Sequence, residues 1–457
     1  MTEICLIKGE NYPDYLHAWF NGWFQECSSP KGTGVPCDSK KKDLYIPDEE
    51  TNSDAELFRE CMTEYMSYTF FDSRFEDLNE PWQKQQMEKM IQMVSATGIN
   101  FSKKLTSKFN TDGKPKFRAK CGSLEDLDTV YKPFLFYLTL WVIRQIGHSF
   151  LFYMGFQRYQ VEMKRMGARK KVTMSYWYRS AQGNSTASQK PVIFFHGVSP
   201  GGYTFYLPMI QNAFLGGTFW GNNAQQYQNP IFLIENEGIT CRMTLNALTE
   251  KETIKGVQTA LVRHGFHSPR QEQDLTLIGH SFGAFHLSWC VRSELCKRIG
   301  KLIVIEPSAI LLSDPDATNN FIYNRVAENL LRGIPYPRAF FVALVYGTDL
   351  FSEHNFRRHF KWYNSELWLE DIPNHIDTLV CLAEKDQISV TRNIAIEINR
   401  VNAKKREETN YRPIKLREWK GRGHGSIVFF PSQWKELNRW IREEKISPER
   451  TCLEKIV

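Results

Sequence analysis

The stretch from Asp274 to Phe285, Asp-Leu-Thr-Leu-Ile-Gly-His-Ser-Phe-Gly-Ala-Phe, constrains this chain more than any other. Leu275, Leu277 and Ile278 form a short apolar run, as in a strand buried on both faces. The run stops at Gly279-His280-Ser281-Phe282-Gly283, and a helix-compatible segment follows to about Lys297. A G-x-S-x-G on its own is a common accident of Gly/Ser loops. Between a strand and a helix it predicts a tight turn that lifts Ser281 above the sheet in a strained backbone conformation. The residues two before and two after the serine then face each other, and glycine avoids a Cβ clash at both places. Ser281 is the expected nucleophile.

Around it, strand and helix signals alternate from about residue 157. Gln157–Lys164 and Lys171–Ser180 read as an antiparallel entry hairpin. Further strands are expected at Pro191–Phe195, Ile231–Glu235, Leu275–Ile278, Lys301–Ile305, Ile376–Ala383 and Ile414–Trp419. Helices are expected near Thr204–Phe214, Glu250–His264, Phe282–Lys297, Val390–Ala403 and Ser432–Glu444, with Thr249 and Glu252 set for a capping box. The pattern predicts an α/β class domain, a mostly parallel central sheet flanked by helices.

A serine hydroxyl is a poor nucleophile until a base takes its proton and an acid orients the base. The last two strands end in such groups. Glu384-Lys385-Asp386 follows the first of them, and Asp386 is the expected acid, with Glu306 as fallback. Gly421-Arg-Gly-His424-Gly-Ser426 follows the second, a loop able to bring His424 over Ser281. The order Ser281, Asp386, His424 is the one described for α/β-hydrolases. Read singly, Asp386 is a loop cap and His424 a surface histidine between glycines. An oxyanion hole is expected from the amides of Val198, in Phe194-Phe195-His196-Gly197-Val198, and of Phe282, with His196 holding the loop.

On His196-Gly197, Gly279-His-Ser-Phe-Gly283, Asp386 and His424, residues 157–457 resemble the α/β-hydrolase superfamily, in its serine lipase and esterase branch with the monoacylglycerol lipases. The resemblance implies acylation of Ser281, His424 acting as base and then acid, release by water, and no cofactor. Residues 1–130 lie outside it.

Between the strands at 301–305 and 376–383 the connection is far longer than usual, so a helical lid is expected over about 308–373. Its many rings, Phe340, Phe341, Phe356, Trp362 and Trp368 among them, favour a lipid or other acyl-ester substrate, since burying each methylene contributes about 0.8 kcal/mol. They equally suit packing of the lid on the body. Arg357, Arg358 and Lys361 read either as a solvated face or as headgroup contacts. Two other functions stand beside the lipid reading: a hydrolase of small esters, thioesters or amides (aminopeptidase-like), and a non-catalytic binding protein on the same fold.

Residues 1–130 read as a helical extension, with Phe58, Cys61, Met62 and Tyr65 at helix-face spacing. Residues 131–156 form an apolar helix whose uninterrupted run ends at Arg144, short of the ~20 residues of a membrane span. Arg144 and His148 share one face. The helix suits either a membrane surface, where the basic groups at 103–120 and 165–171 would meet anionic lipid, or docking on the protein. A net charge of +7 over 457 residues is too mild to point to nucleic acid. Ten cysteines without a C-x-x-C, and no apolar N-terminal leader, lead us to expect an intracellular compartment. Neither a phosphate-cradling glycine loop nor metal-ligand spacing stands out.

Overall fold

The computed structural model describes residues 22–26, 52–95, 117–127, 129–165, 171–181, 190–216, 229–267, 273–320, 349–359 and 361–442. The chain divides into two compact units, one of Met1–Asp128, Ser313–Leu344 and Phe356–Tyr363, the other of Thr129–Leu312, Val345–Asn355 and Asn364–Val457. The stretch expected as one lid is thus shared between the units, and residues 321–348 of it, with Phe340 and Phe341, lie outside the described residues.

In the first unit β1 (Phe24–Glu26) pairs antiparallel with β2 (Phe117–Ala119), beside helices α1 (Asn52–Phe71) and α2 (Pro81–Ser95). The helix-face residues Cys61, Met62 and Tyr65 are buried, while the side chain of Phe58 lies outside the described ones. Trp23 stacks on Trp362 with ring centroids 5.3 Å apart and lies 4.9 Å from the Tyr65 ring. Arg357 pairs with Glu125 at 2.8 Å, Arg358 donates to the carbonyls of Ser123 and Glu125, and Lys361 pairs with Asp72. Both readings of these three cations are therefore displaced: they hold the 122–125 turn and the end of α1. Phe356 and Trp362 are core residues of the same unit.

The second unit carries α3 (Phe134–Tyr153) and eight strands: β3 (Gln157–Lys164), β4 (Lys171–Arg179), β5 (Val192–Phe195), β6 (Ile231–Glu235), β7 (Leu275–His280), β8 (Ile299–Ile305), β9 (Asp377–Ala383) and β10 (Lys415–Trp419). Their order across the sheet is β3-β4-β6-β5-β7-β8-β9-β10. The β3–β4 hairpin and the β4–β6 pair are antiparallel; every other pair is parallel. β5, β6, β7 and β9 are buried along their whole length, as their near-continuous apolar sequences require, whereas β3 at the edge alternates.

Helices α4 (Glu250–Arg263), α5 (Gly283–Val291), α6 (Thr391–Lys404) and α7 (Pro431–Arg442) flank the sheet. The capping box at Thr249 and Glu252 forms. Two expected helices differ. The segment 204–214 is a 3₁₀ turn over Gly202–Tyr206, one α-turn, and a π-turn over Ile210–Phe214, entered from a left-handed Gly201. The helix after Ser281 ends at Val291, because Ser293 caps a new 3₁₀ turn by accepting from the Leu295 amide.

α3 turns Arg144 and His148 inward. Arg144 is 8% exposed, and His148 lies 3.3 Å from the Glu235 carboxylate. Its outward face carries Phe134, Leu135, Trp141, Ile146, Phe152 and Tyr153, the last 88% exposed. Among the described residues no helix is long and apolar enough to cross a membrane. A Cβ at Gly147 would overlap Thr204, whose hydroxyl bonds the Gly201 carbonyl at 2.9 Å. Gly147→Val is expected to lower stability by about 1–3 kcal/mol in a urea titration, the usual cost of overpacking a tight contact.

Candidate active site

Ser281 stands immediately after β7 with φ at +52°, the left-handed region that non-glycine residues rarely enter. Its amide donates to the Ile305 carbonyl at 2.9 Å, which ties the turn to β8. The flanking glycines have the reason the sequence suggests. A Cβ on Gly279 would lie 2.7 Å from Leu287 Cδ1 on α5, and one on Gly283 would collide with the Phe195 carbonyl of β5. The strain at Ser281 is held by close packing on both sides. An eight-stranded, mostly parallel sheet flanked by helices, with a strained serine between its fifth strand and the next helix, is the α/β architecture that the sequence leads one to expect of an α/β-hydrolase fold.

The loops after β9 and β10 bring two more side chains to the serine. His424 Nε2 lies 2.8 Å from Ser281 Oγ. His424 Nδ1 lies 2.9 Å from both carboxylate oxygens of Asp386. Asp386 Oδ1 also accepts from the amides of Ile388 and Ser389, each at 2.8 Å, which fixes the carboxylate. With Asp386 accepting from Nδ1–H, Nε2 is left free to accept the serine proton. Burial pulls the His424 imidazole down, but the charge and hydrogen bond of Asp386, with the Glu306 charge beyond them, outweigh it and hold its pKa above the ordinary 6.5.

Glu306 does not reach the Nδ1 of His424. Its carboxylate accepts from His280 Nε2 at 3.0 Å, from the Gly425 amide at 2.6 Å and from the Ser426 hydroxyl at 2.7 Å. The fallback acid therefore occupies a different position from Asp386, below the serine turn.

The loop named for the oxyanion hole runs against the same turn. A Cβ on Gly197 would lie 2.8 Å from Ser281 Cβ, so only glycine admits the backbone there, and Val198 follows directly. Phe282 opens α5 at its N-terminus, where backbone N–H groups favour negative charge. His196 Nδ1 lies 2.6 Å from the Gly197 carbonyl, and its Nε2 accepts from the Asn236 amide at 3.2 Å. Burial pushes this imidazole down to about 4, so at neutral pH it is an uncharged brace for the loop.

Sequence reasoning missed three groups at the site. Ser308 Oγ lies 3.4 Å from Ser281 Oγ. His280 sits inside the motif but was given no role, and Tyr206 has no local signal at all. Among the described residues no cluster of three or more His, Cys, Asp or Glu is placed to hold a metal ion.

No family model matches the chain, and no curated protein matches it. Among solved structures it is similar to a thermophilic esterase from Thermogutta terrifontis, at 12% identity over 63% of this chain and 100% of that one, with a TM-score of 0.40. It is similar to the peroxisomal alpha-beta-hydrolase Lpx1 from Saccharomyces cerevisiae, at 14% identity over 65% and 94% of the two chains and a TM-score of 0.40. An acylaminoacyl peptidase from Pyrococcus horikoshii is matched at 12% identity over 63% of this chain and 40% of its own, with a TM-score of 0.36.

The electrostatics of His424 give a direct expectation. Because neighbouring negative charge favours the imidazolium, its C–H resonances should titrate with a midpoint above 6.5 in NMR, and the midpoint should fall in Asp386→Asn. A wild-type midpoint below 6.5 would contradict the charge arrangement described.

Proposed function

We propose that the chain is a serine hydrolase that cleaves carboxylic esters, of lipids or acylglycerols, through an acyl-enzyme on Ser281. The observation that carries this is the continuous line from Ser281 Oγ through the His424 ring to the buried Asp386 carboxylate, at 2.8 and 2.9 Å. In acylation, His424 Nε2 takes the Ser281 proton as Oγ attacks the ester carbonyl. The negative oxygen of the tetrahedral adduct is held by the amides of Val198 and Phe282. Collapse breaks the carbonyl–alkoxy bond, and the proton on Nε2 passes to the departing alcohol. Water then enters, gives its proton to Nε2, and attacks the acyl carbon. The second adduct collapses to free acid, and the proton returns to Oγ. Asp386 keeps the ring in the tautomer that both halves need, and stabilises the imidazolium formed in each.

The choice of a lipid rests on α3. A helix that buries its arginine, half-buries its histidine and exposes Phe134, Leu135, Trp141, Ile146 and Phe152 has its usual amphipathic arrangement turned inside out. Such a face is stabilised by burial in the boundary layer of a bilayer, with Tyr153 and Trp141 suited to the interface. We therefore propose peripheral contact with a membrane through this face, with Lys132 beside it near anionic headgroups. The protein should co-sediment with phosphatidylglycerol vesicles, and Leu135→Glu with Trp141→Glu should lose most of that binding while keeping its melting temperature.

The activity is tested with p-nitrophenyl esters from acetate to palmitate. We expect kcat/KM to rise with acyl length, and Ser281→Ala to lose at least about a thousandfold on every ester. Highest activity at acetate with a steady decline would turn the reading to small esters, thioesters or amides. A folded wild type without turnover on any of them would favour a binding protein.

A further inference from the structure

Below the Ser281 turn lies a second polar chain that the reaction just described does not use. Tyr206 OH accepts from the Gly197 amide at 3.0 Å and lies 2.6 Å from His280 Nδ1. His280 Nε2 lies 3.0 Å from Glu306 Oε2. The same carboxylate takes the Gly425 amide at 2.6 Å and the Ser426 hydroxyl at 2.7 Å, and Gln433 Nε2 donates to Ser426 Oγ at 2.9 Å.

The links form a consistent donor–acceptor chain around a neutral His280. A carboxylate can only accept, so His280 Nε2 donates to Glu306, and in the neutral ring Nδ1 then accepts from Tyr206. The phenol then has its oxygen available to accept from Gly197. Burial pushes the Tyr206 phenol up, so it stays an uncharged donor. Glu306 is fully buried, with φ at +44°, a second strained residue at the end of a central strand. A buried carboxylate in an unfavourable backbone conformation needs compensation, and here the compensation is three donors from two different segments.

The segments matter. Gly197 belongs to the loop that carries Val198, and Gly425-Ser426 directly follows His424. We propose that Glu306 is a positioning residue, tying the oxyanion loop and the histidine loop to one buried anchor through His280 and Tyr206. Cutting the chain loosens both loops together. The kinetic side of this rests on the hydrolase reading; the structural side does not.

Two measurements separate them. Hydrogen exchange read by mass spectrometry on Glu306→Gln should show peptides over 196–206 and 421–428 exchanging at least about tenfold faster than wild type, with β6 unchanged. Acceleration at 421–428 alone, or at neither, overturns the shared anchor. If Glu306→Gln does not fold, Tyr206→Phe and Ser426→Ala break the chain at opposite ends, each removing two of its bonds, and each should accelerate the loop it does not touch; loosening confined to the cut side overturns the proposal. The second measurement is the rate of Ser281 labelling by a fluorophosphonate. Tyr206→Phe should slow it at least about tenfold in protein that still unfolds in one cooperative transition and keeps its far-UV circular dichroism. Equal rates overturn the positioning role. A wild type that takes no label would count against the hydrolase reading, while the exchange data would still decide the anchor.

Discussion

The hydrogen bond from Ser281 Oγ to His424 Nε2, 2.8 Å long, is the contact on which the rest of the arrangement depends. Its two ends are 143 residues apart, and neither loop has a local reason to meet the other. They meet because β7 and β10 run parallel in one sheet and deliver their following loops to the same edge. On the serine side the bond also needs a backbone at φ +52°, which is tolerated because Gly279 and Gly283 let α5, β5 and β7 approach one another. Fold and chemistry are linked at that turn. A side chain at either glycine would push the helix away and release the strain that presents the hydroxyl.

Two carboxylates lie near the imidazole, and their surroundings divide their work. Asp386 meets the ring at Nδ1 and is steadied by two amides of its own loop. Glu306 meets a different histidine and the backbone of the His424 loop, so its charge acts on the ring from a distance. Side-chain type alone does not separate these roles, because either acid follows a central strand. The register of the strands and the reach of each loop decide it.

That contrast shows where the sequence was legible. The Ser281 turn, the β3–β4 hairpin, the capping box at Thr249 and the places of the sheet strands along the chain follow from local residue types and periodicity, and they stand as expected. The positions of Asp386 and His424 were readable because each follows a recognisable strand. Tyr206 and Ser308 were not, since their relevance is created by contacts across 74 and 27 residues. Periodicity placed Arg144 and His148 on one face of α3 but could not say which way that face points. Glu235, at the end of β6, settles the point by bonding His148 and drawing the polar side inward. The cations Arg357, Arg358 and Lys361 look like free surface charge in sequence, yet each is held by a partner within the N-terminal unit.

The proposed reaction turns on one chemical event, the covalent acylation of Ser281. The most direct measurement mixes the protein with p-nitrophenyl butyrate, quenches in acid within milliseconds, and maps the adduct by peptide mass spectrometry. The account predicts a butyryl group on the peptide containing Ser281, formed at the rate of the nitrophenol burst and absent in Ser281→Ala. Turnover of the ester with the adduct on another residue, or with none on Ser281, would contradict it.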